Sequence, residues 1–284
     1  MADTGINQNT PFRAIIKTPK PGEPRTDGVT GTFQVMIRGY AKPGPNKRDY
    51  IQTLANEYIA TRLADYLGLP ISPHGLIQVE RAMPPGPYFT TFNFACDGGR
   101  CPVIDVESCL ENQLKKCSGS LIFDIFVGNG DRHGGNISYL EDDHYWLYDH
   151  GYSLLGVVPN YGITRLKDIE DRLGCSGPEL VSVEYFPSGC FPYNRHVFLD
   201  CIGSDKFFGE WIHKIENLPD YQIDNLCFVP FDIGINKDER IAIADFLKKR
   251  KRKMWNLIQD NSHEFKNINQ WGLPNIGGVT AKDV

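Results

Sequence analysis

The stretch Gly128-Asn129-Gly130-Asp131-Arg132-His133-Gly134-Gly135-Asn136, followed shortly by Trp146-Leu147-Tyr148-Asp149-His150-Gly151, decides the reading of this chain. Asp131 lies in a glycine-rich turn, where a carboxylate can project into a cleft instead of packing into a core. Asn136 follows at a spacing that lets a tight loop bring its amide oxygen back toward the same cleft, and Asp149 adds a second carboxylate beyond. Oxygen donors of this kind suit a hard cation such as Mg²⁺.

Working outward, Leu114 to Val127 fits a buried helix that ends at the glycine-rich turn, and Tyr145 to Tyr148 fits a short strand that delivers Asp149. Upstream, residues 12–17 (FRAIIK) and 32–38 (TFQVMIR) read as two antiparallel strands with a Pro/Gly-rich connection between them. From Tyr50 to Leu67 apolar residues recur near the helical period, and Gly68 with Pro70 stops that helix. Ile71 to Glu80 returns to strand. The prolines and glycines between Met83 and Pro102 predict a connection between a β-rich first half and a helical second half. Residues 194–217 and 238–261 carry helical patterns, and 263–284 read as a loosely attached tail. The expected organisation is therefore a small sheet-plus-helix lobe at 11–102, a mainly helical lobe at 103–262, and the tail.

The 284 residues are long enough to bury a core in each of two lobes. No apolar run approaches the roughly 20 residues that span a bilayer. The opening MADTGINQNTPFR lacks the charged-then-apolar layout of a signal peptide, which predicts a cytoplasmic location. Eight scattered cysteines contain no CxxC pair, so reduced and mostly buried thiols are expected. A net charge of −5 disfavours nucleic acid and anionic membrane as partners. Against that balance stand six consecutive basic residues, Lys248 to Lys253, read as a mostly solvated stretch of the last helix beside its apolar face.

A phosphoryl-transfer site must neutralise a triphosphate and hold an acceptor oxygen in line with the γ-phosphorus, so the protein supplies mainly charge and position. On that scheme Asp131 is the candidate base, and Asn136 and Asp149 are the candidate magnesium ligands. Arg132 would neutralise a phosphate or pair with Asp131, and His133 would orient the loop through hydrogen bonds. A zinc hydrolase built on His133, His144 and His150 lacks the paired helical spacing such sites use.

At these residues the chain resembles the HipA-like protein kinases, in particular their compact single-domain bacterial branch, which share an atypical kinase fold with the phosphoinositide kinases. Residues 50–73, YIQTLANEYIATRLADYLGLPISP, resemble the family's first-lobe helix with its N-E-x-x-x-x-x-L core. Residues 123–136 and 147–154 resemble its catalytic and metal loops, and the order of the three agrees across most of 11–262.

The resemblance implies an α+β, two-lobed protein-kinase-like fold that binds ATP and Mg²⁺ and transfers the γ-phosphoryl group to a Ser or Thr hydroxyl of a protein. It makes Asp131 the catalytic base, and Glu57 the carboxylate that pairs with the phosphate-binding lysine. The strand before the helix reads Gln34-Val35-Met36-Ile37-Arg38-Gly39, so Arg38 stands where the family has that lysine, with Lys17 and Lys42 as alternatives. Arg is not a simple replacement for Lys at a tight site. Gly28 and Gly31 are placed to cover the phosphates or to serve a hairpin turn. A toxin-like role with an antitoxin-like regulator would follow the family. The rival readings are a nucleotide-binding pseudokinase acting as an interaction module, motivated by Arg38, and a kinase of a lipid or small-molecule acceptor.

Overall fold

The computed structural model describes residues 39–43, 52–79, 86–92, 104–140, 144–158, 160–172, 196–229 and 233–272. The expected strands at 12–17 and 32–38, and with them Lys17, Gly28, Gly31 and Arg38, lie outside the described residues.

The first part is a three-stranded antiparallel sheet and one helix. Strand β1 (Gly39–Pro43) pairs with β3 (Gly86–Phe92), which pairs on its other side with β2 (His74–Val79), giving the order β1-β3-β2. The register sets Lys42 opposite Phe89 and Leu76 opposite the same residue from the other side. The segment expected as a connection therefore carries a strand at Gly86–Phe92. Its run Tyr88-Phe89-Thr90-Thr91-Phe92 is rich in aromatic and β-branched side chains, and it forms the central strand because those residues fit a pleated, half-buried surface.

Helix α1 (Thr53–Tyr66) packs against β2, β3 and the later helix α5 (Asp220–Cys227). It ends as expected at Gly68, whose φ of 78° is the left-handed conformation that glycine adopts without a Cβ clash. Its buried positions include the polar pair Asn56 and Glu57 as well as Leu54, Ile59 and Leu63. That polar pair marks the side of the helix that faces the site.

Helix α2 (Val106–Val127) begins earlier than the sequence suggests, with Asp105 capping the Ser108 N–H at 3.2 Å. A non-helical Gln113 (φ −131°) breaks it, so the straight segment starts at Leu114. Its buried second half ends at Gly128, again left-handed at φ 64°, and this reversal throws the chain into the Asp131 loop. Strands β4 (Ile137–Leu140) and β5 (His144–Leu147) form an antiparallel ribbon that returns the chain to Asp149, and β5 touches the first part through a parallel bridge from Leu147 to Ile71.

The remaining elements are α3 (Gly162–Arg172), α4 (Phe208–Glu216), α5, α6 (Lys237–Lys251) and α7 (Met254–Asp260). Among the described residues of the helical pattern at 194–217 only α4 is helical, because Gly203-Ser204-Asp205 interrupts it and residues 197–201 are turns. The pattern at 238–261 is broken near Lys253.

Two further expectations are corrected. The basic run is solvated only in part: Lys249, Arg252 and Lys253 are exposed, whereas Arg250 and Lys251 are buried and Arg250 Nε donates to the Ile125 carbonyl at 2.8 Å. Lys248 pairs with Asp224 at 2.5 Å, Lys249 with Glu170 at 3.0 Å, and both Lys251 (2.7 Å) and Arg252 (2.6 Å) with Asp220. These three acids on α3 and α5 offset part of its charge. The tail is also anchored at its start, since Phe265 is buried against Phe208 and Trp271 at ring separations of 5.5 and 5.3 Å. Gly272 N–H donates to Asp205 Oδ2 at 2.8 Å.

Candidate active site

Three pieces of chain meet here: β1 with α1, the turn after α2, and the loop after β5. Lys42 projects from β1 and its Nζ lies 3.2 Å from Glu57 Oε2 and 2.8 Å from Asp149 Oδ1. Glu57 is buried and also receives the His150 backbone N–H. Burial opposes the charge on Lys42, but the two carboxylates outweigh it and hold the ammonium above its ordinary value. Burial likewise pushes the Glu57 carboxyl up, only partly offset by Lys42, whereas at Asp149 the Lys42 ammonium outweighs burial and holds the carboxyl below the usual range. Among the described residues it is Lys42, one of the alternative cations, that pairs with Glu57; Arg38 lies outside them.

Asn56, beside Glu57, reaches the same loop. Its Nδ2 donates to Gly151 O at 2.9 Å and Gly156 O at 2.8 Å, and its Oδ1 accepts from Leu155 N at 3.2 Å. One amide thus ties α1 to both ends of the loop that carries Asp149. Arg165 fixes that loop from α3, donating to Leu154 O and, at 2.6 Å, to Gly128 O.

Arg132 has a different job from the one expected. It is fully buried, and each of its five N–H donors has an acceptor. Nε and Nη2 grip the two oxygens of Asp124 at 2.7 and 3.2 Å. Nη1 donates to Asn136 O at 2.7 Å and Tyr148 O at 2.5 Å, and Nη2 reaches His150 Nδ1 at 2.9 Å. Nothing is left for a phosphate, nor for Asp131. Asp124, equally buried, also accepts from Asn129 Nδ2 at 2.9 Å and bonds His196 Nε2 at 3.1 Å. Burial would raise its carboxyl, but Arg132 and His196 hold it far below the usual range.

The turn itself is set by short-range bonds. Asn129 Oδ1 accepts the Asp131 N–H at 3.2 Å, and Asn136 Nδ2 donates to Asp131 O at 2.8 Å. That fixes the amide of Asn136 and leaves its oxygen end for a cation. Asp131 is half-buried on this turn. His133 is exposed and its Nδ1 accepts the Gly135 N–H at 3.0 Å, the loop-orienting use its position suggests.

A magnesium ion fits the donor chemistry. Asn136 offers an amide oxygen and Asp149 a carboxylate whose Oδ1 alone is engaged by Lys42. A pair of oxygen donors with no softer ligand suits a metal that keeps several waters and takes its other ligands from phosphates. Among the described residues no group of three His, Cys, Asp or Glu side chains could hold a metal.

Sequence reasoning missed Asp124, Asn129, His196 and the roles of Asn56 and His150. One signal was available: Asp124 is a lone carboxylate in the apolar run Leu121 to Val127, and an acid so placed is buried only when paired.

No protein-family model matches the chain, and no curated protein matches it. Among solved structures it is similar to one described as a Helicobacter pylori proinflammatory kinase, CtkA, with a TM-score of 0.51 and 15% identity over 82% of this chain and 94% of that one. The likeness shows a kinase-like fold.

Proposed function

We propose that this protein is a kinase that binds ATP with Mg²⁺ between its sheet-bearing and helical parts and transfers the γ-phosphoryl group to a Ser or Thr hydroxyl of a protein. The observation that carries the reading is the Lys42–Glu57–Asp149 cluster, with separations of 3.2 and 2.8 Å, on a kinase-like fold. In this reading Lys42 binds phosphate and is oriented by Glu57. Asn136 and Asp149 would hold magnesium, which when bound neutralises charge on the phosphates. Asp131 accepts the proton of the acceptor hydroxyl. The Ser/Thr acceptor rests on the resemblance to HipA-like kinases, as do a toxin-like role and a regulator. The ground for a pseudokinase was Arg38 in the place of a lysine, and Lys42 on Glu57 weighs against that reading.

The test is Asp131→Asn, which keeps shape and polarity but not basicity. Turnover of labelled ATP with mixed protein acceptors is expected to fall about 10²–10⁴-fold while nucleotide affinity stays near the parent value. Turnover within a few-fold of the parent would sink the assignment.

A further inference from the structure

The guanidinium that is closed to phosphate is bonded to three groups that bracket the two metal-ligand candidates. Asn136 O belongs to one candidate, and Tyr148 O and His150 Nδ1 stand on either side of the other, Asp149. Asp149 itself has φ 61°, a left-handed conformation that side-chain-bearing residues adopt only when their surroundings impose it. A chain pinned on both sides of such a residue is the imposing surrounding.

His150 adds a second line of argument. Because Arg132 can only donate, Nδ1 must be the acceptor, and the neutral ring then carries its proton on Nε2. Nε2 is buried and has no hydrogen-bond partner among the described residues. An apolar ring in the same place would meet Phe123, whose ring lies 5.7 Å away edge-on, without stranding an N–H. The bond from Nδ1 to Arg132 is what a histidine supplies here and an apolar residue does not.

Resting on the kinase reading above, we propose that His150 is a positioning residue, whose Nδ1 bond to Arg132 fixes the turn that aims the Asp149 carboxylate at the cation shared with Asn136. It touches neither nucleotide nor metal. Its effect is on the metal requirement, because groups that orient metal ligands typically change metal affinity by about 10–100-fold when removed.

The experiment uses the full chain and measures binding of ATP by calorimetry across a magnesium titration, and also in excess chelator. His150→Leu is expected to raise the half-saturating Mg²⁺ concentration about 10–100-fold while metal-free ATP binding stays at the parent value. His150→Asn, whose Oδ1 can accept from Arg132, is expected to recover most of that loss. If His150→Leu does not fold, His150→Phe, which fills the space against Phe123, takes its place with the same expectation.

An unchanged magnesium requirement in the apolar variant overturns the inference, as does an equal loss in the apolar and Asn variants. A parent chain that binds ATP no better with magnesium than without overturns the kinase reading and this inference with it. A parent that does bind Mg-ATP, beside an unaffected His150→Leu, overturns the inference alone.

Discussion

Two cations in this molecule each bridge acidic or carbonyl oxygens, and they do opposite work. Arg132 with Asp124 and His196 is sealed, with no side-chain exposure at any of the three. Lys42 with Glu57 and Asp149 is open: the Lys42 and Asp149 side chains are 45% and 38% exposed, over a Glu57 that is 4% exposed. A sealed pair cannot exchange partners, so its geometry becomes part of the scaffold. In the proposed kinase reading, the open one releases Asp149 to a metal and offers Lys42 to a phosphate. Charge alone does not mark a functional group; charge with room to change partners does.

The sharpest way to break this contrast is to remove one side of the sealed pair. Asp124→Ala leaves a buried guanidinium with two donors unmatched, and breaking a buried pair in this way costs about 3–5 kcal/mol. The expected result is a large fall in the denaturant midpoint. Arg132→Ala should be similarly damaging, and the double variant should cost much less than the sum of the two. A loss of under about 1 kcal/mol for Asp124→Ala, the size of a surface pair, would show that the network is not the scaffold described.

That contrast also explains what could be read from the chain without its structure. Asp131, Asn136, Asp149 and Glu57 could be picked out as candidates because each sits in a short local motif with glycines or a helix boundary beside it. Arg132 lies in the same motif, yet its role was not legible, because burial depends on Asp124 on α2 and His196 far along the chain. Lys42 was one of three cations, and its contact with Glu57 depends on the register of β1 on β3 together with the approach of α1. Strand β3 was hidden by the prolines and glycines around it. The ion pairs of the basic run could not be foreseen because their acids, Asp220, Asp224 and Glu170, come from other helices.

A smaller effect should separate the sealed region from the open one by pH. Burial pushes His150 down to about 3, with the Arg132 guanidinium adding to it, and burial lowers His196 despite Asp124. The unfolded chain protonates both near the ordinary value of about 6.5, so below that pH it binds more protons than the folded one. The stability they contribute is therefore fully present above about pH 6.5 and is lost as pH falls toward 3. Glu57 works in the opposite sense, because its raised folded value means stability is lost as pH rises through it. Thermal melts stepped from pH 7.5 to 4.5 should show a falling Tm, and His150→Asn should flatten the fall. A slope unchanged in that variant would mean that the acid sensitivity comes from elsewhere.

The least disturbance to stability is expected at the open cluster, and there the effect on ligand should exceed the effect on fold. Lys42→Ala removes an ion pair that solvent already screens, so its stability cost should stay within about 1 kcal/mol. The same change removes a charged donor from the proposed phosphate site, and hydrogen bonds to charged groups contribute about 1.5–3 kcal/mol, which corresponds to roughly tenfold or more in ATP affinity. Glu57→Ala should weaken ATP binding through the misdirected lysine, and the double variant should bind about as poorly as Lys42→Ala alone, because the two residues act as one unit. Arg38→Ala supplies the control, with ATP affinity expected near the parent value. If Arg38→Ala lost as much ATP affinity as Lys42→Ala, the phosphate site would not be specific to Lys42, and if Lys42→Ala bound ATP like the parent, the open cluster would be a second piece of scaffold and the contrast with Arg132 would fail.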